Sequence, residues 1–287
     1  MKFSSVLIVF GAFLLALGLK HPGNDAHRGS PDKDVDTHSN CDSSVYCEGE
    51  DLVYEVSWTA IKLGQLHFRM ISSGTENGQA AHNVSARIDS YRGLPFVDLH
   101  VLERSTMDDW GHSFGSSSNE KHGDEWVVDT SVYDSTLHGI IIDRRLRKDL
   151  KSPPYSNPLY DTLHLSQVPF DDGLSLLFWA RAYSRLNDTV SIPTEVYGKI
   201  GTTILYKPIK TVDVNIDAYK HPIRTVEIDG KALFKGLYGM TGDFKGWFSD
   251  DPAAVPIRAE MEVLIGHATI ELKSWHREGW IIPNGKE

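Results

Sequence analysis

Two stretches near the front of the chain alternate in character with a period of two, and that period limits the fold more than any other feature. Leu52, Tyr54, Val56 and Trp58 alternate with Val53, Glu55 and Ser57. Leu66, Phe68 and Met70 alternate with Gln65, His67, Arg69 and Ile71. Successive side chains of a strand point to opposite faces, so each stretch reads as a strand with one buried face. Residues 60–64 between them read as a turn. The run Ser72 to Gly78 reads as a hairpin loop, whose Asn77-Gly78 favours positive φ.

Further strands are expected at His82–Ser90, Val97–Met107, Glu125–Tyr133 and Thr136–Arg147. Pro153, Pro154, Pro158 and Pro169 interrupt the next stretch. One helix follows. Asp171-Asp172-Gly173 caps its start, and Leu174, Leu177, Phe178, Ala180, Arg181 and Leu186 repeat at helical spacing before Asn187-Asp188. Strands resume at Thr189–Tyr197, Thr202–Ile216, Arg224–Phe234, Phe244–Ser249, Pro256–Leu264 and His267–Trp275, with Gly266 in the last hairpin. Strand–helix alternation of the parallel kind is missing. The expected fold is mainly β: a large curved antiparallel sheet or open barrel with one central packed helix.

The chain opens with Met1-Lys2 and an uncharged apolar run from Ser4 to Leu19. That run is shorter than the roughly 20 residues of a membrane span and suits a secretory signal cleaved after Gly18. A retained anchor is the alternative, with Lys20 and His21 following directly. The division expected is a signal over 1–18, a flexible linker over 19–48, one β-domain over 49–280 and a tail over 281–287. The mature chain should lie in the periplasm or outside the cell, without a membrane span. His21, His27 and His38 in the linker are spaced too irregularly for a compact metal site, so no metal and no cofactor are expected. Cys41 and Cys47 are the two cysteines. In an oxidising compartment they invite a disulfide. It should clip a turn, at a cost of about 1–2 kcal/mol or less when removed.

The net charge of −10 excludes a basic nucleic-acid surface. The densest basic cluster is Arg144, Arg145, Arg147, Lys148 and Lys151. It reads as a solvated strand end in preference to a phosphate or lipid-headgroup site. Asp250 and Asp251 precede Pro252 and read as turn residues, with Arg258 as an ion-pair partner. Gly111-His112-Ser113-Phe114-Gly115 matches the G-x-S-x-G pattern of serine hydrolases. It lacks an apolar strand before it and a helix after it. Ser113 is therefore a catalytic candidate only under an alternative, hydrolase reading.

Four segments together resemble the bacterial domain-of-unknown-function 3108 family: Glu50 to Trp58 with Leu63-Gly64; Phe170 to Arg181; Gly246 to Asp251 with Val255 to Arg258; and Gly266 to Leu272. The resemblance spans about Glu48 to Trp275. It implies an exported β-domain of the cell envelope, similar in layout to periplasmic half-barrels that hold lipid or acyl chains, and it lends no catalytic residues. The expected function is non-enzymatic binding of an apolar small molecule or lipid, or of an envelope protein, with a purely structural scaffold as a further alternative. Phe178, Trp179, Tyr183 and Leu186 on the helix are the candidate ligand face, because open barrels hold ligands at their mouths.

Overall fold

The computed structural model describes residues 41, 44–59, 61–76, 78–95, 97–134, 137, 139–164, 171–185, 188–196, 199–206, 210–233, 242–262 and 267–286. The expected signal, the linker histidines, Leu186, and Gly266 all lie outside them.

The period-two stretches become β1 (Asp51–Trp58) and β2 (Ile61–Glu76). They are followed by β3 (Gln79–Ser90), β4 (His100–Met107), β5 (Ser113–His122), β6 (Glu125–Asp134), β7 (Gly139–Arg147) and β8 (Leu159–His164). After the helix α1 (Gly173–Tyr183) come β9 (Val190–Val196), β10 (Lys199–Leu205), β11 (Lys210–Ile216), β12 (Tyr219–Ala232), β13 (Gly242–Ser249), β14 (Pro256–Glu262) and β15 (His267–His276). They form one 15-stranded sheet in the order β8-β7-β6-β5-β4-β3-β2-β1-β15-β14-β13-β12-β10-β9, with β11 on β12. Neighbouring strands pair antiparallel, the chain ends meeting where β1 lies between β2 and β15. The path stops at β8 on one side and β9 on the other, so the sheet stays open. Register shifts in β1, β2 and β4 add local twist and help it curl.

The curl is filled from inside. Leu52, Tyr54 and Val56 of β1, Leu66, Phe68 and Met70 of β2, Val84, Ala86 and Ile88 of β3, and Ile270 and Leu272 of β15 are buried on one face. They pack with Leu174 and Phe178 of α1, the ring of Phe178 lying 5.7 Å from that of Phe68. Burial of each such side chain contributes about 1.5–3 kcal/mol, and this apolar stripe holds the helix in the curve. Asp172 is the N-cap, and its carboxylate accepts from the N–H groups of Leu174 and Ser175 while Ser175 reciprocates. Before the helix, residue Asp171 makes a parallel bridge to Thr194, which fastens the helix start to β9.

Several elements depart from the sequence reading. β2 begins at Ile61 where a turn was expected, and Thr59, after the end of β1, takes a positive φ of +53°. The expected loop from Ser72 is strand as far as Glu76. β5 and β8 were not foreseen, and the expected strand Thr202–Ile216 is two strands, β10 and β11. The packed unit also exceeds 49–280 at both ends. Cys41, Cys47 and Ile282 are buried, and Asn284 bridges Ile223.

Candidate functional site

Three clusters of polar groups lie on or under the inner face. The first is a fully buried ion network. Arg181 of α1 donates from Nη1 to Glu50 Oε2 (2.7 Å) and from Nη2 to Glu50 Oε1 (2.9 Å). It also donates to the Ala253 carbonyl at 2.9 Å and lies 5.2 Å from the Phe178 ring centroid. Arg277 donates to the same Glu50, to the Cys41 carbonyl at 2.7 Å, and to the Ser44 carbonyl. Burial pushes both guanidiniums down. The Glu50 carboxylate outweighs it for Arg181, which is held above its ordinary value, whereas Arg277 is pushed down. One carboxylate thus anchors the helix, the C-terminal end of β15 and the segment closed by the Cys41–Cys47 disulfide. This is an architectural knot: each hydrogen bond the two guanidiniums make goes to protein, and the buried Arg277 Nε is left without a partner.

The second cluster surrounds the helix N-terminus. Asp172 Oδ2 accepts from Ser105 (2.6 Å) and Ser113 (2.7 Å), and burial pushes its carboxyl up. Asp171 Oδ1 accepts from Trp179 Nε1 at 3.0 Å and Ser175 at 3.2 Å, and stands 3.7 Å from His112 Nδ1. Burial pushes Asp171 up to about 6. One rung crosses four strands, Glu103, Ser118, Asp129 and Arg144 being directly opposed in turn. Ser118 donates to Glu103 at 2.7 Å, Arg144 forks onto Asp129, and burial holds the Glu103 carboxyl well above its usual range.

Ser113 is thereby accounted for. Its hydroxyl is held by the N-cap carboxylate, it lies at the start of a strand, and it is buried. Its neighbour His112 turns toward Trp179 instead, the rings 5.1 Å apart. Gly111 adopts φ +86°, and a Cβ there would come 3.0 Å from the Trp179 ring, so the glycine serves the turn and the close helix approach.

A third set does bring serine, histidine and aspartate together, in residues the sequence reading passed over. Ser73 Oγ lies 3.0 Å from His82 Nδ1, and His82 Nε2 lies 2.7 Å from Asp109. The imidazole is stacked under Tyr46 at 3.8 Å. However, the Ser73 N–H donates to the Glu48 carboxylate at 3.0 Å. That puts negative charge where an acyl-transfer site needs donors for a developing oxyanion. Asp109 is also exposed, unlike the sheltered orienting carboxylate of a working triad.

The candidate ligand face divides. Phe178 points into the core against Tyr46 and Phe68, while Trp179 and Tyr183 form a half-buried aromatic pair, 4.7 Å apart, on the other side. Asp250 pairs with Arg224 at 2.7 Å. Asp251 accepts from the Ala254 N–H and from Trp280 Nε1, closing the expected turn. Arg258 departs from the reading, pairing with Glu271 across β14 and β15. In the basic cluster Arg144 and Arg145 are paired with Asp129 and Asp143. Glu50 and Arg277 carried no periodic signal. The clue available was their position, charged groups at the ends of apolar strands.

The architecture defines a class, an open antiparallel β-barrel-like sheet wrapped around one helix. Its solved neighbours include a β-barrel-like protein of domain of unknown function DUF1849 from Brucella abortus. It is 12% identical over 82% of this chain and 99% of that chain, with a TM-score of 0.50. At that identity the likeness is one of fold. More distant are a Bacteroides fragilis protein described as exported, with a YmcC-like fold, and a Parabacteroides distasonis protein described as a lipoprotein. The first is 8% identical over 80% of this chain and 96% of its own, TM-score 0.37; the second is 11% identical over 80% and 96%, TM-score 0.35. No family model matches the sequence, and no curated protein matches it.

Proposed function

We propose that this chain is an exported, non-enzymatic envelope domain that works by binding an apolar, lipid-like ligand or an envelope partner at the mouth of the sheet. The observation that carries the reading is the half-buried Trp179–Tyr183 pair on a helix that otherwise fills the curve. Trp110, 74% exposed, sits beside the Gly111 turn that abuts Trp179 and extends the aromatic surface. Export is supported by the Ser4–Leu19 run and by a buried disulfide, which suits an oxidising compartment. Kinship with the 3108 family belongs to the same proposal. It is supported by the way its four segments meet, three of them in the adjoining strands β1, β15, β14 and β13 and the fourth in α1.

Native mass spectrometry of protein taken from the envelope tests the binding reading. The expected spectrum shows a bound apolar molecule, reduced in Trp110→Ala and Tyr183→Ala. A protein that is always empty leaves the scaffold role.

The second reading, a serine hydrolase, is favoured by Ser73–His82–Asp109 rather than by Ser113. A fluorophosphonate probe decides it. Labelling of Ser73 that disappears in His82→Ala would establish the enzyme, and the binding reading expects no labelling at Ser73 or Ser113.

A further inference from the structure

The outer face of β4–β7, opposite to the polar rung, holds a groove of about 800 Å³. Arg104 and Arg147 both line it. Arg104 is directly opposed by Ser117 of β5, and Gly115, two residues earlier, leaves the floor without a side chain. Ile71, Phe114 and Val132 supply an apolar wall, Ile71 being 49% exposed.

The two arginines differ from most arginines of this molecule. The chain carries 39 acidic against 29 basic residues, so carboxylates are plentiful. Arg69, Arg87, Arg144, Arg145, Arg224 and Arg258 each sit on one. Among the described residues Arg104 and Arg147 make no ion pair, a state they share with Arg92 and Arg185, but of these four Arg104 and Arg147 are the ones that line the groove, and Glu76, the carboxylate that lines it, engages neither. Arg147 donates only a long 3.4 Å bond to the Leu150 carbonyl, and its buried Nε has no partner. Partial burial and the charge of Arg104 both push Arg147 below its ordinary value. Asp149 acts the other way on Arg147 but forms no ion pair with it, and two guanidiniums near each other without a paired counter-ion oppose folding. Their forks match the oxygens of a phosphate group.

We propose that the groove between Arg104 and Arg147 binds a phosphate monoester attached to an apolar group. Two positive charges match a dianion better than a carboxylate's single charge, and the wall of Ile71, Phe114 and Val132 receives the apolar arm. Of the five basic residues clustered at 144–151, the site uses Arg147. It is separate from the Trp179–Tyr183 mouth and stands whether or not a ligand is found there.

The test is calorimetric titration of the whole mature protein with phenyl phosphate and with inorganic phosphate at low salt. Phenyl phosphate should bind more tightly than inorganic phosphate. Arg104→Gln and Arg147→Gln should each weaken it about tenfold or more, the loss of a charge-assisted hydrogen bond. Arg145→Gln, whose guanidinium is already paired with Asp143, should bind as the wild type does. Arg147→Gln should melt no lower than wild type, because it relieves like-charge repulsion; a purely structural arginine would lower the melting temperature and leave affinity alone. Should that variant fail to fold, the exposed Arg104 carries the test by itself. Sedimentation with phosphatidylcholine vesicles, with and without phosphatidic acid, assigns the source. Retention only on phosphatidic acid indicates a lipid headgroup, and phenyl phosphate binding without retention indicates a soluble phosphoester. No binding of phenyl phosphate, binding unchanged in both glutamine variants, or equal affinity for inorganic phosphate would overturn the proposal.

Discussion

Under β1, β2, β3 and β15 the inner face of the sheet carries Leu52, Phe68, Ile88 and Ile270. Under β4, β5 and β6 the same continuous face carries Glu103, Ser105, Ser116, Ser118 and Ser131. Both halves are buried, and both touch α1. The apolar half is held by area removed from water, which any apolar side chain of similar volume supplies. The polar half is held by directed bonds to the helix N-terminus, and each buried carboxylate there opposes folding unless it is protonated or satisfied. The same backbone can therefore be lined with either material, but the energetic consequences of a mutation differ in sign and size.

The sharpest way to break the comparison is to remove the charge that the apolar half tolerates. Glu50→Ala would leave the Arg181 and Arg277 guanidiniums buried without a counter-ion. Losing one partner of a buried pair costs about 3–5 kcal/mol, and here two partners are orphaned. Urea unfolding should show at least that loss, with Arg181→Met milder because Glu50 keeps Arg277. A loss below about 1 kcal/mol would mean that the network is hydrated in solution.

In the polar half the pH response should run the other way from ordinary acid denaturation. Asp171 rises from 3.8 unfolded to about 6 folded. The native state therefore binds the extra proton between those values, and stability falls as pH rises through the window. The penalty is absent below the unfolded value and complete above the folded one, at about 3 kcal/mol for a shift of this size. The groups facing Asp171 are His112, Asp172, Ser175 and Trp179. Glu103 and Asp172, raised by the same burial, act with the same sign. Melting should thus be higher at about pH 5 than at about pH 7.5, and Asp171→Asn should flatten part of that slope. A melting temperature that climbs steadily toward neutrality would contradict it.

The disulfide comes next in size. On sequence spacing it appears peripheral. In the structure Cys41 and Cys47 are buried, and Arg277 of the apolar half donates to the carbonyls of Cys41 and Ser44 inside the loop. The double variant Cys41→Ser with Cys47→Ser should cost about 2–3 kcal/mol, above the sequence-based expectation. Denaturant midpoints of the variant and of the reduced wild type should agree. A cost near zero would make the Arg277 contacts independent of the crosslink.

How well the sequence could be read follows the same division. β1 and β2 were legible because Leu52, Tyr54, Val56, Leu66, Phe68 and Met70 all face one way. The helix was legible because Asp171-Asp172-Gly173 signals a cap ahead of apolar residues at helical spacing, and Asp172 is the N-cap. β5 was illegible for a definite reason. Its inward residues Ser113 and Ser118 meet Asp172 and Glu103, and Ser116 is opposed by Ser105 and Ser131, so hydrophobic periodicity has nothing to detect. β8 was hidden because it is an edge strand behind a proline-rich stretch, and edges need only one partner. The Glu50–Arg277 contact spans the whole sheet in sequence, and only the closure of β1 against β15 reveals it. The candidate helix face was half legible: Trp179 and Tyr183, four apart, share a face, whereas Phe178, one residue before Trp179, turns into the core against Phe68.

The smallest expected effect discriminates best between the two materials. Ser131 is fully buried, directly opposed to Ser116 on β5 and Ile142 on β7, and its hydroxyl oxygen has no hydrogen-bond partner. A buried hydroxyl without a partner is a cost already borne by the native state, at about 1–3 kcal/mol for a lost bond of this kind. Ser131→Ala removes that oxygen, so its expected effect ranges from neutral to about 1 kcal/mol of stabilisation. Ser105→Ala, two strands further along the same rung, should instead be destabilising by about 1 kcal/mol or more, because it strips a 2.6 Å donor from the buried Asp172 carboxylate. Opposite signs for two serine-to-alanine changes on one rung would show that the polar half is held by particular bonds and not by polarity as such. Equal losses at both positions would instead mean that Ser131 is engaged in solution, and that this half of the interior is open enough to admit a partner for it.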